Sequence, residues 1–171
     1  MMVETPNYEV IRKLGEVEIR KYPILFLATA KGEADLFGLL FNYISGANKG
    51  SSKISMTAPV ITLEKIAMTS PVFTDADSMS FIVPSMYTRE TIPEPTDPHI
   101  TITEQPSKTL AVIRFSGWGR SRTVEEKTQI LLETLRRNNI EIKGEVTLMR
   151  YNPPFTPWFL RRNEVAVEVN I

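Results

Sequence analysis

Few side chains in this sequence could hold a metal or act as a nucleophile. Cysteine is absent, and His99 is the single histidine. That removes a thiolate nucleophile, a zinc–thiolate site and a disulfide framework. One histidine with no thiolate partner does not make a transition-metal cage. A Ser-His-Asp triad would have to use His99, which follows Asp97-Pro98 at a strand start and reads as a solvated or capping residue; no G-x-S-x-G elbow accompanies it. Neither G-x-G-x-x-G nor a Walker A pattern occurs. Gly46 to Lys53 carries Gly50 and Lys49 as well, but without phosphate-loop spacing. Asp75 and Asp77 occupy a turn, where aspartate is common. Met56 and Met68 are soft ligands in principle, yet methionine alternating with Ile54, Ala58 and Val60 reads as core filling. Tyr22 and Tyr43 stand on the same terms. No constellation here specifies an enzyme.

The elements that position these residues are legible from periodicity. Glu16 to Tyr22 alternates apolar and polar residues as a half-buried strand, and Ile24 to Ala30 is a denser strand beyond Pro23. Asp35 to Ser45 predicts a helix ended by Gly46. The phrase Lys53-Ile54-Ser55-Met56-Thr57-Ala58-Pro59-Val60 returns twelve residues later as Lys65-Ile66-Ala67-Met68-Thr69-Ser70-Pro71-Val72. Each proline pushes its predecessor away from helix, so both copies read as extended segments. Met79 to Val83 is a further short strand, and Thr91 to Pro98 a loop. The order then restarts. Ile100 to Glu104 alternates, Leu110 to Phe115 is dense, Ser116-Gly117 turns, and Thr123 to Arg137 is a helix with Thr123 and Glu126 spaced as a capping box. Glu145 to Tyr151 and Glu164 to Ile171 end the chain as strands. The echo predicts two strand-strand-helix-strand-strand units, about 8–88 and 98–171, whose half-sheets curl together. The expected fold is α+β, a distorted antiparallel β-barrel with two flanking helices and a pseudo-twofold, in one domain spanning 1–171.

The two helices differ. In the second, Val124, Leu131, Leu132 and Leu135 share one face opposite Glu125, Glu126, Glu133, Arg136 and Arg137. The first is apolar nearly all round, through Leu36, Phe37, Leu39, Leu40, Phe41, Tyr43 and Ile44. Packing on a sheet uses one stripe, so the remainder needs a cover: a loop, a second subunit or a flat apolar ligand. The segment Phe155-Thr156-Pro157-Trp158-Phe159-Leu160 is the matching anomaly, an apolar loop braced by Pro153, Pro154 and Pro157 and flanked by Arg161 and Arg162. It could pack on its own barrel or act as a flap over an apolar pocket, with the two arginines meeting acidic groups.

Acidic and basic residues balance at twenty each, so no overall charge excess points to nucleic acid or an anionic membrane. Hydrophobic content of 42 % and charged content of 23 % are ordinary for a globular domain. No signal peptide and no apolar run of membrane-spanning length is visible, so a cytoplasmic location is the expectation.

At several of these residues the chain resembles the SOUL / haem-binding protein family. The matching phrases are Tyr8-Glu9-Val10, Val17 to Tyr22, Tyr43 to Lys49, both Met-Thr-x-Pro-Val copies, Tyr151 to Phe155 and Arg161 to Val165. The resemblance covers the whole chain. It implies the distorted barrel with two helices and a non-enzymatic, tetrapyrrole-binding role, with haem as cofactor and no strong axial protein ligand. Carried over residue by residue, it departs in places. Lys21 stands where one branch of the family has been assigned an axial histidine, and Asn42 and Thr156 stand where basic partners for the propionates are expected. The apolar contacts carried over are Leu36, Leu39, Leu40, Tyr43, Phe155 and Trp158, and the charge partners would be Lys49, Lys53, Arg161 or Arg162. Two other readings stay open. One is a protein-interaction module whose apolar patches form an oligomeric or partner interface. The other is a hydrophobic small-molecule sensor of a related duplicated fold, with Glu104 or Glu145 meeting a cationic ligand in the barrel.

Overall fold

The computed structural model describes residues 4–32, 35–63, 65–66, 73–74, 78–152 and 155–171. In chain order the elements are β1 (Glu9–Leu14), β2 (Val17–Tyr22), β3 (Leu25–Lys31), α1 (Leu36–Ile44), β4 (Val60–Leu63), β5 (Lys65–Ile66), β6 (Phe73–Thr74) and β7 (Ser78–Ile82). Then follow β8 (Ile100–Gln105), β9 (Lys108–Ser116), α2 (Ser121–Arg137), β10 (Glu141–Ile142), β11 (Thr147–Arg150), a 3-10 turn (Trp158–Leu160) and β12 (Arg162–Asn170). The main sheet is antiparallel with the order β1-β2-β9-β12-β11-β4-β7-β3-β8, and β10 adds to β12; β5 and β6 pair separately. Exchanging β2 with β8, β3 with β9, β4 with β11 and β7 with β12 reverses the order from β2 to β8 and keeps every neighbouring pair.

Short connections curl this sheet. Only Pro23 and Ile24 separate β2 from β3, and only Pro106 and Ser107 separate β8 from β9. Each pair lies six positions apart in the hydrogen-bonded order. A flat sheet would part them by about 30 Å, whereas two linking residues reach about 10 Å. The flanks must therefore turn toward each other. Ser107 fixes the closure by donating its hydroxyl to the Tyr22 carbonyl at 2.8 Å.

Strand register then decides which residues face inward. The cross-strand partners Ile19 with Ala111, Ala111 with Val167, and Val165 with Leu148 share the outer face with Ala30 and Ile100 on the far flank. Both helices cover this face. α2 packs Val124, Leu131 and Leu135 over Val17, Ile19, Ile113 and Val165. α1 packs Leu36, Leu40, Tyr43 and Ile44 over Ala28, Ala30, Phe81 and Ile100. The opposite face turns inward around Tyr22, Leu110, Val112, Met149 and Ala166. Residues from both flanks, Tyr22 and Leu110 with Leu25 and Ile82, line one cavity there, as a closed-over concave face requires.

Some local expectations change. α2 begins at Ser121, its N-cap position is Arg120 with no side-chain cap, and the Thr123–Glu126 capping box does not form. Met56 is not core filler: it is 38 % exposed, in the extended segment that precedes β4. The second Met-Thr-x-Pro-Val copy, residues 68–72, lies outside the described residues, as do Asp75, Asp77, Pro153 and Pro154.

The inner face also holds buried charge. Glu164 is fully buried and accepts a bidentate pair of hydrogen bonds from Arg20, at 2.9 and 2.8 Å. Tyr151 donates its hydroxyl to the same carboxylate at 2.6 Å, and Arg162 donates at 3.0 Å. Arg20 also donates to Tyr22 and to Glu18, and its guanidinium stacks 4.2 Å over the Tyr8 ring. Burial alone would raise the Glu164 carboxyl pKa; hydrogen bonds from Arg20 and Tyr151 and the charges of Arg20 and Arg162 outweigh it and hold the pKa below the ordinary value. A depressed carboxylate contributes stability that is present above its unfolded pKa of about 4.3 and is lost as pH falls through the folded value. We therefore expect Glu164→Gln to destabilise the protein by about 3–5 kcal/mol in urea at pH 7. Its acid-unfolding curve should be flatter below pH 4.3 than that of the parent; an unchanged acid limb would remove Glu164 from the account.

Candidate functional site

The structure separates the sequence-derived candidates into an exposed set and an inward-facing set. In α1 the N-cap Asp35 accepts a hydrogen bond from the Gly38 amide at 3.0 Å. A Cβ on residue 38 would come within 2.3 Å of the Asp35 carboxylate, so glycine there leaves the cap its room. The helix so oriented buries Leu36, Leu40 and Tyr43 against the sheet and half-buries Leu39. Those four candidates serve the core. The outward stripe is Phe37 and Phe41, 42 % and 49 % exposed, with rings 6.1 Å apart and only 16° from parallel. Phe37 also sets its edge against Phe81, at 5.5 Å, which braces the pair on the sheet. Spacing could have found this stripe, since Phe37 and Phe41 stand one helical turn apart, about a third of a turn round the helix from the Leu36, Leu40 and Tyr43 run.

Tyr43 is also chemically occupied. Its hydroxyl donates to the Pro93 carbonyl at 2.5 Å, and burial pushes its pKa up to about 12. It is not a phenolate waiting for a metal. The other donors are no better placed. His99 is exposed and bonded to Asp97 at 2.8 Å. Lys21 is exposed on β2. Among the described residues no group of three or more His, Asp or Glu side chains could hold a metal ion.

The aromatic loop stands at the end of the sheet where β9 and β12 pair, Ser116 opposite Arg162. Phe155 and Trp158 are 87 % and 52 % exposed. Arg161 donates to the Thr156 carbonyl at 2.9 Å and stacks 4.7 Å over Trp118, a residue that sequence reasoning passed over. Arg162, the other expected rim cation, turns inward to Glu164 and Tyr8 and stacks 4.1 Å over Tyr151. Lys49 reaches Glu94 at 2.6 Å on an exposed surface, and Lys53 is exposed.

The inner face offers a second place. A cavity of about 220 Å³ is floored by Leu25, Ile61, Ile82, Leu110 and Met149, with Tyr22, Lys108, Glu145 and Glu168 among its polar groups. Burial lowers the Lys108 pKa, while the Glu168 charge acts the other way. Glu104 does not line this cavity; it pairs with Arg89.

Comparison with known proteins adds family and fold. A model of the SOUL heme-binding protein family matches residues 3–168. Heme-binding protein 2 of Mus musculus is 26 % identical over 170 residues, covering 90 % of this chain and 82 % of that protein. Heme-binding protein 2 of Homo sapiens is 26 % identical over 186 residues, covering 97 % and 90 %. Among solved structures, the EcmrR C-terminal domain superposes with a TM-score of 0.64 at 10 % identity, covering 95 % of this chain and 98 % of that one. A hydrolase from Listeria innocua does so with a TM-score of 0.60 at 8 % identity, covering 94 % of each. These two likenesses concern the fold alone. No helix among the described residues is long and apolar enough to cross a membrane.

Replacing Tyr43 by Phe deletes one buried hydrogen bond and orphans the Pro93 carbonyl. We expect a stability loss of about 1 kcal/mol. In the parent, ultraviolet difference absorbance should show one phenol that ionises only near pH 12 and is missing from Tyr43→Phe; a variant spectrum identical to the parent's would show that burial does not hold this phenol.

Proposed function

Because the chain belongs to the SOUL heme-binding protein family, we propose that it binds haem or a related tetrapyrrole without catalysing a reaction, as a buffer or carrier. The observation that carries this reading is the Phe37–Phe41 pair. Two stacked aromatic rings, each about half exposed, make an apolar shelf on α1. A porphyrin plane is the kind of surface such a shelf accepts, by dispersion and burial rather than by directed bonds. The exposed aromatic loop at Phe155 and Trp158 supplies further apolar surface, and Lys49, Lys53 and Arg161 supply charge for propionates. The names of the mouse and human relatives support the ligand class.

The donor set fits a porphyrin better than it fits iron. Tyr43 is buried and hydrogen-bonded, His99 is engaged by Asp97, and there is no cysteine. Haem when bound would bring a redox-active iron; the chain contributes packing, charge and exclusion of water from one porphyrin face. The inner cavity supports a second, smaller reading. At about 220 Å³ it is below the roughly 300–1,000 Å³ of drug-sized sites, so it suits a small amphiphile whose polar end meets Glu145, Glu168 or Lys108.

Titration with hemin and with iron-free protoporphyrin, followed by tryptophan quenching, tests the first reading. Both should saturate at micromolar protein with similar affinity, and the Phe37→Ala/Phe41→Ala double variant should bind each at least about tenfold more weakly. No saturable quenching, or binding of hemin alone, would refute it.

A further inference from the structure

We propose that the end of the molecule formed by the β9–α2 and β11–β12 connections docks on the surface of an anionic lipid bilayer. The two connections form one surface. Ser116 and Arg162 are cross-strand partners, and Asn163 donates its side-chain amide to the Gly117 carbonyl at 2.9 Å. This surface exposes five large apolar side chains: Trp118 at 50 %, Phe155 at 87 %, Trp158 at 52 %, Phe159 at 58 % and Leu160 at 63 %. Isolated exposed apolar residues need no explanation, but a contiguous group of this kind marks an interaction site.

Shape and charge select the occupant. The Leu160 amide donates to the Pro157 carbonyl at 2.9 Å, closing a 3-10 turn. At three residues per turn, successive side chains point about 120° apart. Trp158, Phe159 and Leu160 leave the turn on different sides, the Trp158 and Phe159 rings meet edge to face at 5.7 Å, and all three residues are exposed. A rigid partner covers one side of such a turn, whereas a fluid interface surrounds it. Tryptophan and phenylalanine are at home at that depth, with arginine above them at the headgroups. Over residues 116–122 and 150–161 the chain carries Arg120, Arg122, Arg150 and Arg161 and no aspartate or glutamate; Arg122 pairs with Glu126 on α2, and Arg162 turns inward to Glu164. Arg120 and Arg161 both lie over the Trp118 ring, at 5.6 and 4.7 Å, which holds positive charge beside the aromatic surface. The chain as a whole balances twenty acidic against twenty basic residues, so the attraction is local to this end and invisible in the net charge.

The test is direct because the chain has two tryptophans, and both belong to this surface. The full chain, without porphyrin, is floated with phosphatidylcholine vesicles and with vesicles also containing phosphatidylserine. Flotation with the anionic vesicles, a blue shift of tryptophan emission on binding, and release by salt are the expected results. Arg120→Glu should weaken partitioning about tenfold, and Phe159→Asp should abolish it while far-ultraviolet circular dichroism stays unchanged. Phe37→Ala/Phe41→Ala should lose porphyrin and keep vesicle binding, which separates failure of this proposal from failure of the tetrapyrrole reading. No flotation, equal binding to both vesicle types, or a lipid-free dimer in which both tryptophans are already blue-shifted would overturn it.

Discussion

β2 and β3 are two residues apart in the chain and six positions apart in the sheet, and so are β8 and β9. This pair of short links constrains most of what the protein presents. Because the links cannot span a flat sheet, the sheet curls. Curling gives it an inner face and an outer face, and the period-two alternation of each strand then assigns every side chain to one or the other. The same register that turns Ile19, Ala111 and Val165 out toward α2 turns Arg20, Tyr22 and Glu164 inward. The helices have only the outer face to cover, and a nine-residue helix covers it incompletely. α1 meets that face with Leu36, Leu40 and Tyr43, which leaves Phe37 and Phe41 outside.

The buried ionic group shows what the inner face demands in return. Two arginines and one glutamate are removed from water, and desolvation opposes each charge. The group holds because its hydrogen-bonding capacity is nearly filled. Glu164 accepts from Arg20, Tyr151 and Arg162, while Arg20 reaches Glu18, Tyr22 and Glu164 and is capped by the Tyr8 ring. The geometry ties β2 and β12 to each other and to the residues just before β1 and just after β11 through side chains. An arrangement with this directionality specifies one register of closure, because a slip by one residue would strand a charge on the wrong face.

Much of the architecture was legible in the sequence. The alternation from Val17 to Tyr22, the dense run from Leu110 to Phe115, and Asp35 with Gly46 bracketing α1 announced their elements, and the α+β curled sheet with two helices followed from their order. What failed were choices among faces. α1 is apolar nearly all round, and hydrophobicity alone does not say which stripe meets the sheet; Leu36, Leu40 and Tyr43 went in, and Phe37 and Phe41 stayed out. Arg162 looked like a rim cation because it flanks an apolar loop, but strand register points it at Glu164. Arg20 and Glu164 occupy polar positions of their strands, and only closure of the sheet makes those positions interior. The neighbouring Tyr22 and Tyr151 were the available hint: aromatic residues on the supposedly wet side of two strands.

The two faces do different work. The inner face is committed to packing and charge, with one small cavity left, while the outer face and the loop end keep the apolar surface that a tetrapyrrole can use. Backbone amide chemical shifts, mapped while iron-free protoporphyrin is added to the labelled chain, test that division most directly. The account predicts changes concentrated in Leu36–Ile44 and 155–161, with the amides around Tyr22, Ile61 and Met149 unmoved. Changes centred on those inner strands, with α1 unaffected, would contradict it.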